Sequence, residues 1–176
     1  MITFDYLKSL DIDSRRHKDF LINYSNKRLS LEEFLNSEKI THSYKVSIFT
    51  RQISKNVLRN LGIKFAKSAI YVYELHNKND LTLCKIIKKY ENSSNKLNKN
   101  DPTLIKLLDL ANSQTKNSSY AAVKSLYCAM LSNLEMASWY AIQAVFEENF
   151  LPCQKNIIKE VIEEQKKQIE LMKQTI

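Results

Sequence analysis

Residues 120–146 read YAAVKSLYCAMLSNLEMASWYAIQAVF, and this stretch decides the fold. Its apolar residues run round every face of a helix instead of forming one stripe, which is typical of a helix buried on all sides. Small residues recur along it and would let neighbouring helices approach closely: Ala121, Ala122, Ser125, Ala129, Ser132, Ala137, Ser138, Ala141 and Ala144. We therefore expect a long apolar segment, made of two helices or one bent helix, at the centre of the molecule.

The rest of the chain is also helical in character, because it lacks the residues that tight turns require. One glycine and two prolines occur in 176 residues. Two-residue hairpin turns favour glycine or asparagine at positive φ, so a sheet would need many more glycines. The length is that of one domain. The sequence predicts an all-α fold, with residues 1–176 forming a single-domain bundle of about seven to nine helices.

Two helix starts are marked by capping residues. Ser30 and Glu33 have the spacing of a capping box, in which each side chain accepts a hydrogen bond from the other residue's backbone N–H. Asp101 followed by Pro102 places a capping carboxylate directly before the residue favoured at the first helical position. We expect a helix to begin after Ser30 and another to begin at Pro102.

The single glycine, Gly62, follows an amphipathic stretch at residues 46–61, whose apolar side chains recur every three or four positions. A glycine in that place is suited to cap a helix. The letters LGI at residues 61–63 also resemble the turn of a helix-turn-helix motif. That motif needs a buried aliphatic residue five or six positions after the glycine, where this chain has Lys67 and Ser68. We therefore interpret Gly62 as a joint between two helices.

The last helix, over residues 154–176, follows Pro152 and carries one apolar stripe. The stripe has spacings of three and four residues: Ile158, Ile162, Gln165, Ile169, Met172 and Ile176. Such a helix commonly packs on its own domain. The alternative is a homodimer through this C-terminal helix, since Gln165 resembles the polar position that sets the register of a coiled coil.

The net charge of +8 is concentrated in the first part of the chain. Residues 1–100 hold 19 Lys and Arg against 10 Asp and Glu, whereas residues 101–176 hold 8 against 9. A basic part of this kind suits nucleic acid, anionic lipid or an acidic protein partner. It is equally typical of a lysine-rich surface that is only solvated, and this is the plainer interpretation.

Within the basic part, Lys85, Lys88 and Lys89 have the spacing of one helix face. The cluster could contact phosphates or an acidic protein face, and Lys96 and Lys99 follow it. It contains no arginine to read base edges, and Tyr90 is the one nearby ring that could stack on a base. A solvated helix face is again the plainer interpretation.

No grouping of residues in the sequence indicates catalysis, a cofactor or a metal ion. One glycine is too few for a phosphate-binding loop or a dinucleotide fingerprint. The histidines are isolated and the cysteines lack metal-ligand spacing: His17, His42, His76, Cys84, Cys128 and Cys153. Apolar neighbours raise the pKa of the thiols of Cys84 and Cys128, which disfavours nucleophilic cysteines. We expect no cofactor, no metal and no enzymatic activity.

Cysteine usage and the absence of long apolar runs bear on localisation. Three scattered cysteines in apolar surroundings are typical of small buried side chains in a reducing compartment. Asp5 lies near the N-terminus, which carries no secretory apolar run, and no uncharged stretch approaches the ~20 residues of a membrane span. The sequence favours a cytoplasmic protein without membrane contact.

Two segments of the chain together resemble a known family. The first reads FAKSAIYVYE at residues 65–74, then a polar turn NKND at 77–80 and a helix over 81–91. The second is the Ala-, Ser- and Tyr-rich run at 119–145, followed by EQKKQIEL at 164–171. This order, over about residues 60–176, resembles a family of all-helical, alanine-rich bacterial immunity proteins. The resemblance implies a cytoplasmic helical bundle that binds and neutralises a partner protein.

These observations favour a non-catalytic protein-interaction module, and the resemblance implies that this module is an immunity-like protein. The candidate partner-binding residues are exposed tyrosine, lysine and glutamate around the predicted turn: Tyr71, Glu74, Lys85, Lys88 and Lys89. The alternative is a helical protein that binds nucleic acid through the basic part at residues 1–100.

Overall fold

A computed structural model describes residues 1–10, 14–91, 97, 100–149 and 154–176 of the chain. For residues 14–16, 19 and 154–156 it describes the backbone alone. Ten helices occur in these residues: α1 Phe4–Lys8, α2 Ser14–Tyr24, α3 Leu31–Asn36, α4 His42–Gln52, α5 Lys55–His76, α6 Thr82–Tyr90, α7 Pro102–Asn112, α8 Asn117–Met130, α9 Leu134–Asn149 and α10 Gln154–Lys173. The described residues contain no β-strand, only an isolated bridge between Ile2 and Leu29. The all-α prediction is confirmed, with ten helices in place of seven to nine.

Both capping predictions are confirmed. The Glu33 backbone N–H donates to Ser30 Oγ at 3.1 Å, and the Ser30 N–H donates to Glu33 Oε2 at 2.6 Å, so the capping box begins α3. The Thr103 N–H donates to Asp101 Oδ1 at 2.8 Å at the start of α7. Short-range sequence signals of this kind succeed because both bonding partners lie within one helical turn.

The apolar stretch at residues 120–146 forms two helices, α8 and α9, because the chain turns sharply between them. Ser132 has a φ of 58°, in the left-handed region. The Asn133 N–H donates to the Cys128 carbonyl and the Ser132 N–H to the Ala129 carbonyl, each at 2.9 Å. These two bonds form a Schellman motif, which ends α8. The buried residues of both helices join a core cluster that also contains α5, α6 and α7.

Burial of that stretch is not uniform, contrary to the expectation from its composition. Along α8 most side chains are buried, including Ser119 and Ser125. Helix α9 buries Ala137, Ala141 and Ala144 but exposes Trp139 to solvent. Helix α9 also buries Leu134 and Val145, but its side that carries Met136 and Trp139 remains at the surface.

Gly62 is not a helix cap, and the interpretation of a joint at this residue is wrong. It lies near the middle of α5, a continuous helix of 22 residues, which also excludes a helix-turn-helix at residues 61–63. A Cβ atom at Gly62 would lie 3.0 Å from the Cβ and 3.1 Å from the Cα of Ala129 on α8. The glycine therefore permits α5 and α8 to cross in close contact, and the chain break falls earlier, at Ile53 and Ser54.

Helix α10 buries a different face from the one its apolar stripe predicts. Its buried side chains are Ile157, Glu164, Gln168 and Met172. Of the predicted stripe, Met172 is buried, Gln165 and Ile169 are half-buried, and Ile158, Ile162 and Ile176 are exposed. The polar residues at 164 and 168 face inward because the hydroxyls of Ser68 on α5 and Ser138 on α9 meet them there.

Two of the three cysteines lie in the described residues, and their environments differ. Cys128 is buried in the core, as expected, whereas Cys84 is half-exposed and its thiol donates to Glu74 Oε1 at 3.1 Å. The pKa of both thiols is raised, by the Glu74 carboxylate first for Cys84 and by burial first for Cys128. Lys96, Lys99, Pro152 and Cys153 lie outside the described residues.

None of the helices in the described ranges is both long and apolar enough to cross a lipid bilayer.

Candidate functional site

The five predicted partner-binding residues are all exposed, but they do not point to one place. Glu74, near the end of α5, contacts Cys84 on α6, and so lies beside the helix that carries Lys85, Lys88 and Lys89. Tyr71 lies about one turn before Glu74 on α5; burial raises its pKa, and the carboxylates of Glu160, Glu164 and Glu148 on α9 and α10 raise it further. The structure thus places Glu74 beside the helix of the three lysines and Tyr71 near acids of α9 and α10.

The three lysines form an exposed row on α6, because Leu83, Ile86, Ile87 and Tyr90 turn the opposite side of that helix to the core. In the described part of the chain Lys85, Lys88 and Lys89 form no ion pair. The ammonium group of Lys89 lies 5.0 Å from the centre of the Tyr90 ring. That ring is itself buried, so it offers no free face on which a base could stack.

A second surface, which the sequence indicated only in part, lies where α9 and α10 pack together. Trp139 is 53% exposed and Met136 accompanies it on α9, while Ile158 and Ile162 on α10 are 69% and 42% exposed. We call these four residues the α9–α10 face. Exposed tryptophan and methionine in company with isoleucine are more typical of an interface than of a solvated surface.

A groove runs beside this face, between α10 on one side and the start of α4 on the other. It consists of two cavities of ≈ 350 and ≈ 590 Å³, which share His42 and Gln165. Trp139 lines the first cavity, and Ile162 and Lys45 line the second. We call the two together the α4–α10 groove. Met136 and Trp139 of the α9–α10 face line the first cavity, and the second cavity carries most of the charged lining residues: Glu38, Lys45, Lys166, Glu170 and Lys173.

Lys45 is the most unusual charged group of the groove. It lies on α4 within a run of buried residues at 44–49, and only 9% of it is exposed. Burial lowers the pKa of its ammonium group, the positive charge of Lys173 lowers it further, and Glu38 opposes both. No ion pair or hydrogen bond of Lys45 occurs among the described side chains.

His42 and the start of α4 complete the polar part of the groove. Burial lowers the pKa of His42 to about 4, so its imidazole is neutral at pH 7. Its buried Nε2 has no hydrogen-bond partner among the described atoms. The N-cap residue of this helix, Thr41, makes no side-chain capping bond, so the positive end of the helix dipole is not compensated there.

The inner side of α10 carries a buried hydrogen-bond network. The hydroxyl of Ser68 on α5 donates to Glu164 Oε1 at 2.5 Å, and Gln168 Nε2 donates to the same oxygen at 3.1 Å. The hydroxyl of Ser138 on α9 donates to Gln168 Oε1 at 2.6 Å. Burial raises the pKa of Glu164, and the bonds from Ser68 and Gln168 partly offset this effect. Glu164 is 2% exposed and lines neither cavity of the groove. We therefore interpret the network as a structural one that holds α10 against α5 and α9.

A second polar cluster joins His76, Ser118 and Glu148 beside a cavity of ≈ 220 Å³. Glu148 Oε2 accepts from the Ser118 hydroxyl at 2.9 Å and lies 2.6 Å from His76 Nε2. An activated serine would have to donate its proton to the imidazole, whereas Ser118 donates to the carboxylate. Within the described residues, no group of three or more His, Cys, Asp and Glu side chains is arranged to hold a metal ion.

Sequence reasoning missed the exposure of Trp139 and the burial of Lys45 at the groove. Trp139 stands in an apolar stretch that looked wholly buried, so no local signal distinguished it. Lys45 does have one: it interrupts the run YKVSIF at 44–49, whose other members are buried. A lysine within such a run indicates either an extended side chain that reaches water or a binding role.

Comparison with known proteins finds no family model that matches this chain, and no match among curated proteins or solved structures.

Proposed function

We propose that the protein is a non-catalytic protein-interaction module that docks a partner on the α9–α10 face. The observation that carries this proposal is the arrangement of α10, which turns Glu164 and Gln168 inward while it exposes Ile158 and Ile162. A helix that only packed on its own domain would bury its isoleucines. A partner that covers the exposed isoleucines explains why they lie at the surface while the polar residues of the same helix face the core.

The composition of this face supports a protein partner over other ligands. Tryptophan is among the residues that contribute most to binding at protein interfaces, and methionine is enriched there. Trp139 and Met136 of α9 line one cavity with Gln165 of α10, and Gln165 also lines the adjoining cavity with the exposed Ile162. These residues give the apolar centre of such an interface.

An immunity-like role, in which binding neutralises the partner in the cytoplasm, is the specific form that we propose for this module. It is supported by the resemblance of residues 60–176 to the alanine-rich immunity family, whose proteins act by binding. Shape and charge complementarity are then sufficient for neutralisation, and no catalytic step is required. The exposed Glu74, Lys85, Lys88 and Lys89 would add a charged contact on a separate surface.

Affinity purification with matched variants tests the proposal. The tagged protein, Ile162→Asp and Ile105→Asp are each used to recover partners from cell lysate, with and without nuclease. Ile105 is an equally exposed isoleucine on α7, away from the face, and serves as the control. We expect one stoichiometric protein that survives nuclease, is retained by Ile105→Asp and is lost with Ile162→Asp. Equal recovery with both variants would refute docking on this face.

Nucleic-acid binding is a second candidate, favoured by the three exposed lysines of α6 that form no ion pair in the described residues. Its test is the triple variant Lys85→Glu, Lys88→Glu and Lys89→Glu. If these lysines contact phosphates, reversal lowers the slope of log affinity against log salt by about 2–3 in magnitude. An unchanged slope, or no binding to DNA and RNA, rules this candidate out.

A further inference from the structure

We propose that the α4–α10 groove binds a partner segment that carries an apolar side chain next to an aspartate or glutamate, and that Lys45 pairs with this carboxylate. The inference rests on the proposed function and deepens it, because it states what chemistry the partner presents. Three properties of the groove support it: a buried cation, a positive local field and an apolar neighbour.

The first property is the position of Lys45, whose side chain is mostly buried and borders the second cavity. Desolvation of a charged lysine is unfavourable unless a counter-charge or hydrogen-bond acceptor meets its ammonium group. Glu38 lines the same cavity and raises the pKa of Lys45, but neither Glu38 nor any other described residue forms an ion pair or hydrogen bond with it. A carboxylate entering that cavity would supply a direct partner.

The second property is the sign of the surroundings. Lys173 and Lys166 line the same cavity, together with the acids Glu38 and Glu170. Glu170 is held by Lys173 at 2.6 Å, and Lys166 forms no ion pair in the described part of the chain. Glu38 is the one lining acid of this cavity that forms no ion pair in the described residues, and its charge already acts on Lys45. Lys166 and the positive end of α4 add further positive charge that no lining acid offsets. The balance at this end favours an anion.

The third property is the apolar lining close to the charged groups. Ile162 and Ile169 line the second cavity together with Lys45, and Trp139 lines the adjoining one. A segment that lies along the groove therefore meets tryptophan in one cavity and isoleucine together with the ammonium group in the other. Recognition of apolar anchors with a neighbouring charge is the usual way in which a groove selects a peptide segment.

A second copy of this chain fits the groove less well than an acidic partner. In a two-fold symmetric contact the same surface faces itself, so the excess positive charge of Lys45 and Lys166 in one groove would face the same excess in the other. Glu163 and Glu170, the exposed acids of α10, are already paired with Lys159 and Lys173. Self-association is therefore an outcome of the test and not the proposal.

Trp139 provides the readout, because it is the single tryptophan of the chain and lines the groove. A displayed library of random peptides is selected on the wild-type protein and counter-selected on Ile162→Asp. We expect selected peptides to combine aliphatic or aromatic residues with Asp or Glu, and to shift the Trp139 emission to shorter wavelength. Lys45→Gln should weaken their binding about tenfold or more. Lys45→Arg, which keeps the positive charge, should retain most of the affinity for these peptides.

Lys159→Gln is the matched control, since Lys159 is an exposed lysine of α10 outside the groove, and it should leave affinity unchanged. Peptides that shift Trp139 without acidic enrichment, and that bind Lys45→Gln as well as wild type, would overturn the role of Lys45 but leave the proposed docking face intact. A blue shift that appears with protein concentration alone, together with dimers in sedimentation, would assign the groove to a second copy. Failure to select any peptide, combined with no partner lost by Ile162→Asp, would overturn both proposals.

Discussion

Gly62 shows how one missing side chain fixes the distance between two helices. Glycine in the interior of a helix is unfavourable by about 1 kcal/mol relative to alanine. The chain accepts this because a Cβ atom at position 62 would crowd the backbone of Ala129 on α8. Sequence analysis placed Gly62 at a joint because a glycine is most often found there, and its contact across the core cannot be seen along the chain.

We expect Gly62→Val to lower the free energy of unfolding by about 1–3 kcal/mol, because its branched side chain overpacks the contact with Ala129. Lys64→Val, at an exposed position of the same helix, is the control for the helix propensity of valine, which is poorer than that of lysine but better than that of glycine. Urea unfolding followed by circular dichroism measures both. A Gly62→Val variant that is as stable as the wild type, or more stable, would show that α5 and α8 are not in close contact at Gly62.

Glu164 predicts a pH dependence whose sign follows from its raised pKa. The folded protein binds the proton of this carboxyl more tightly than the unfolded chain does, so stability falls as the pH rises from about 4.5 through the folded pKa. Glu164→Gln removes this dependence and keeps the ability to hydrogen-bond Ser68 and Gln168. We expect the unfolding free energy of the wild type, minus that of the variant, to decrease over this pH range. A difference that increases with pH would show that burial does not raise the pKa of Glu164 in the folded protein.

At the scale of the element, α10 demonstrates that a helical period can be correct while the buried face is wrong. The apolar spacing of residues 158–176 correctly predicts a helix. The face that packs is instead decided by Ser68 and Ser138, which satisfy Glu164 and Gln168. These serines lie far from α10 in the sequence, so no local pattern reveals them. The sequence analysis assigned Ile158 and Ile162 to a stripe that either packs on its own domain or forms a homodimer, and for the same reason it could not decide between the two.

Adjacent isoleucines of α10 test which face is buried. Ile157→Ala removes a buried side chain and should lower the free energy of unfolding by about 2 kcal/mol or more. Ile158→Ala, at the next position, should change it by no more than about 0.5 kcal/mol because that side chain is exposed. The stripe read from the sequence gives the reverse order. Thermal or urea unfolding of the two variants therefore distinguishes the two faces directly.

At the scale of the whole molecule, composition was sufficient for the fold class but not for the arrangement of helices. Scarcity of glycine and proline led to the all-α prediction, and capping residues located the starts of α3 and α7. Packing between distant helices decided the rest: the crossing at Gly62, the exposure of Trp139 and the burial of Lys45. Each depends on contacts between residues far apart in sequence, which one sequence does not encode in a local pattern.

The expectation of a single domain can be tested by cooperativity. One hydrophobic cluster contains Leu35 of α3, Phe49 of α4, Leu134 of α9 and Met172 of α10, and so connects the first helices to the later ones. We expect urea unfolding to give one transition, with coincident midpoints for far-UV circular dichroism and tyrosine near-UV dichroism. Two separated transitions would show that the α1–α4 part unfolds as an independent unit.

The polar attachment of α10 has a consequence for its motion on the timescale of seconds to hours. Water can replace the bonds that Ser68 and Ser138 make to this helix, whereas it cannot replace apolar packing in the same way. Partial detachment of α10 should therefore require less free energy than global unfolding. In deuterium exchange followed by mass spectrometry, amides of α10 should exchange before those of α8. A ligand seated in the α4–α10 groove would slow that exchange, and the helix would then report occupancy by its protection alone.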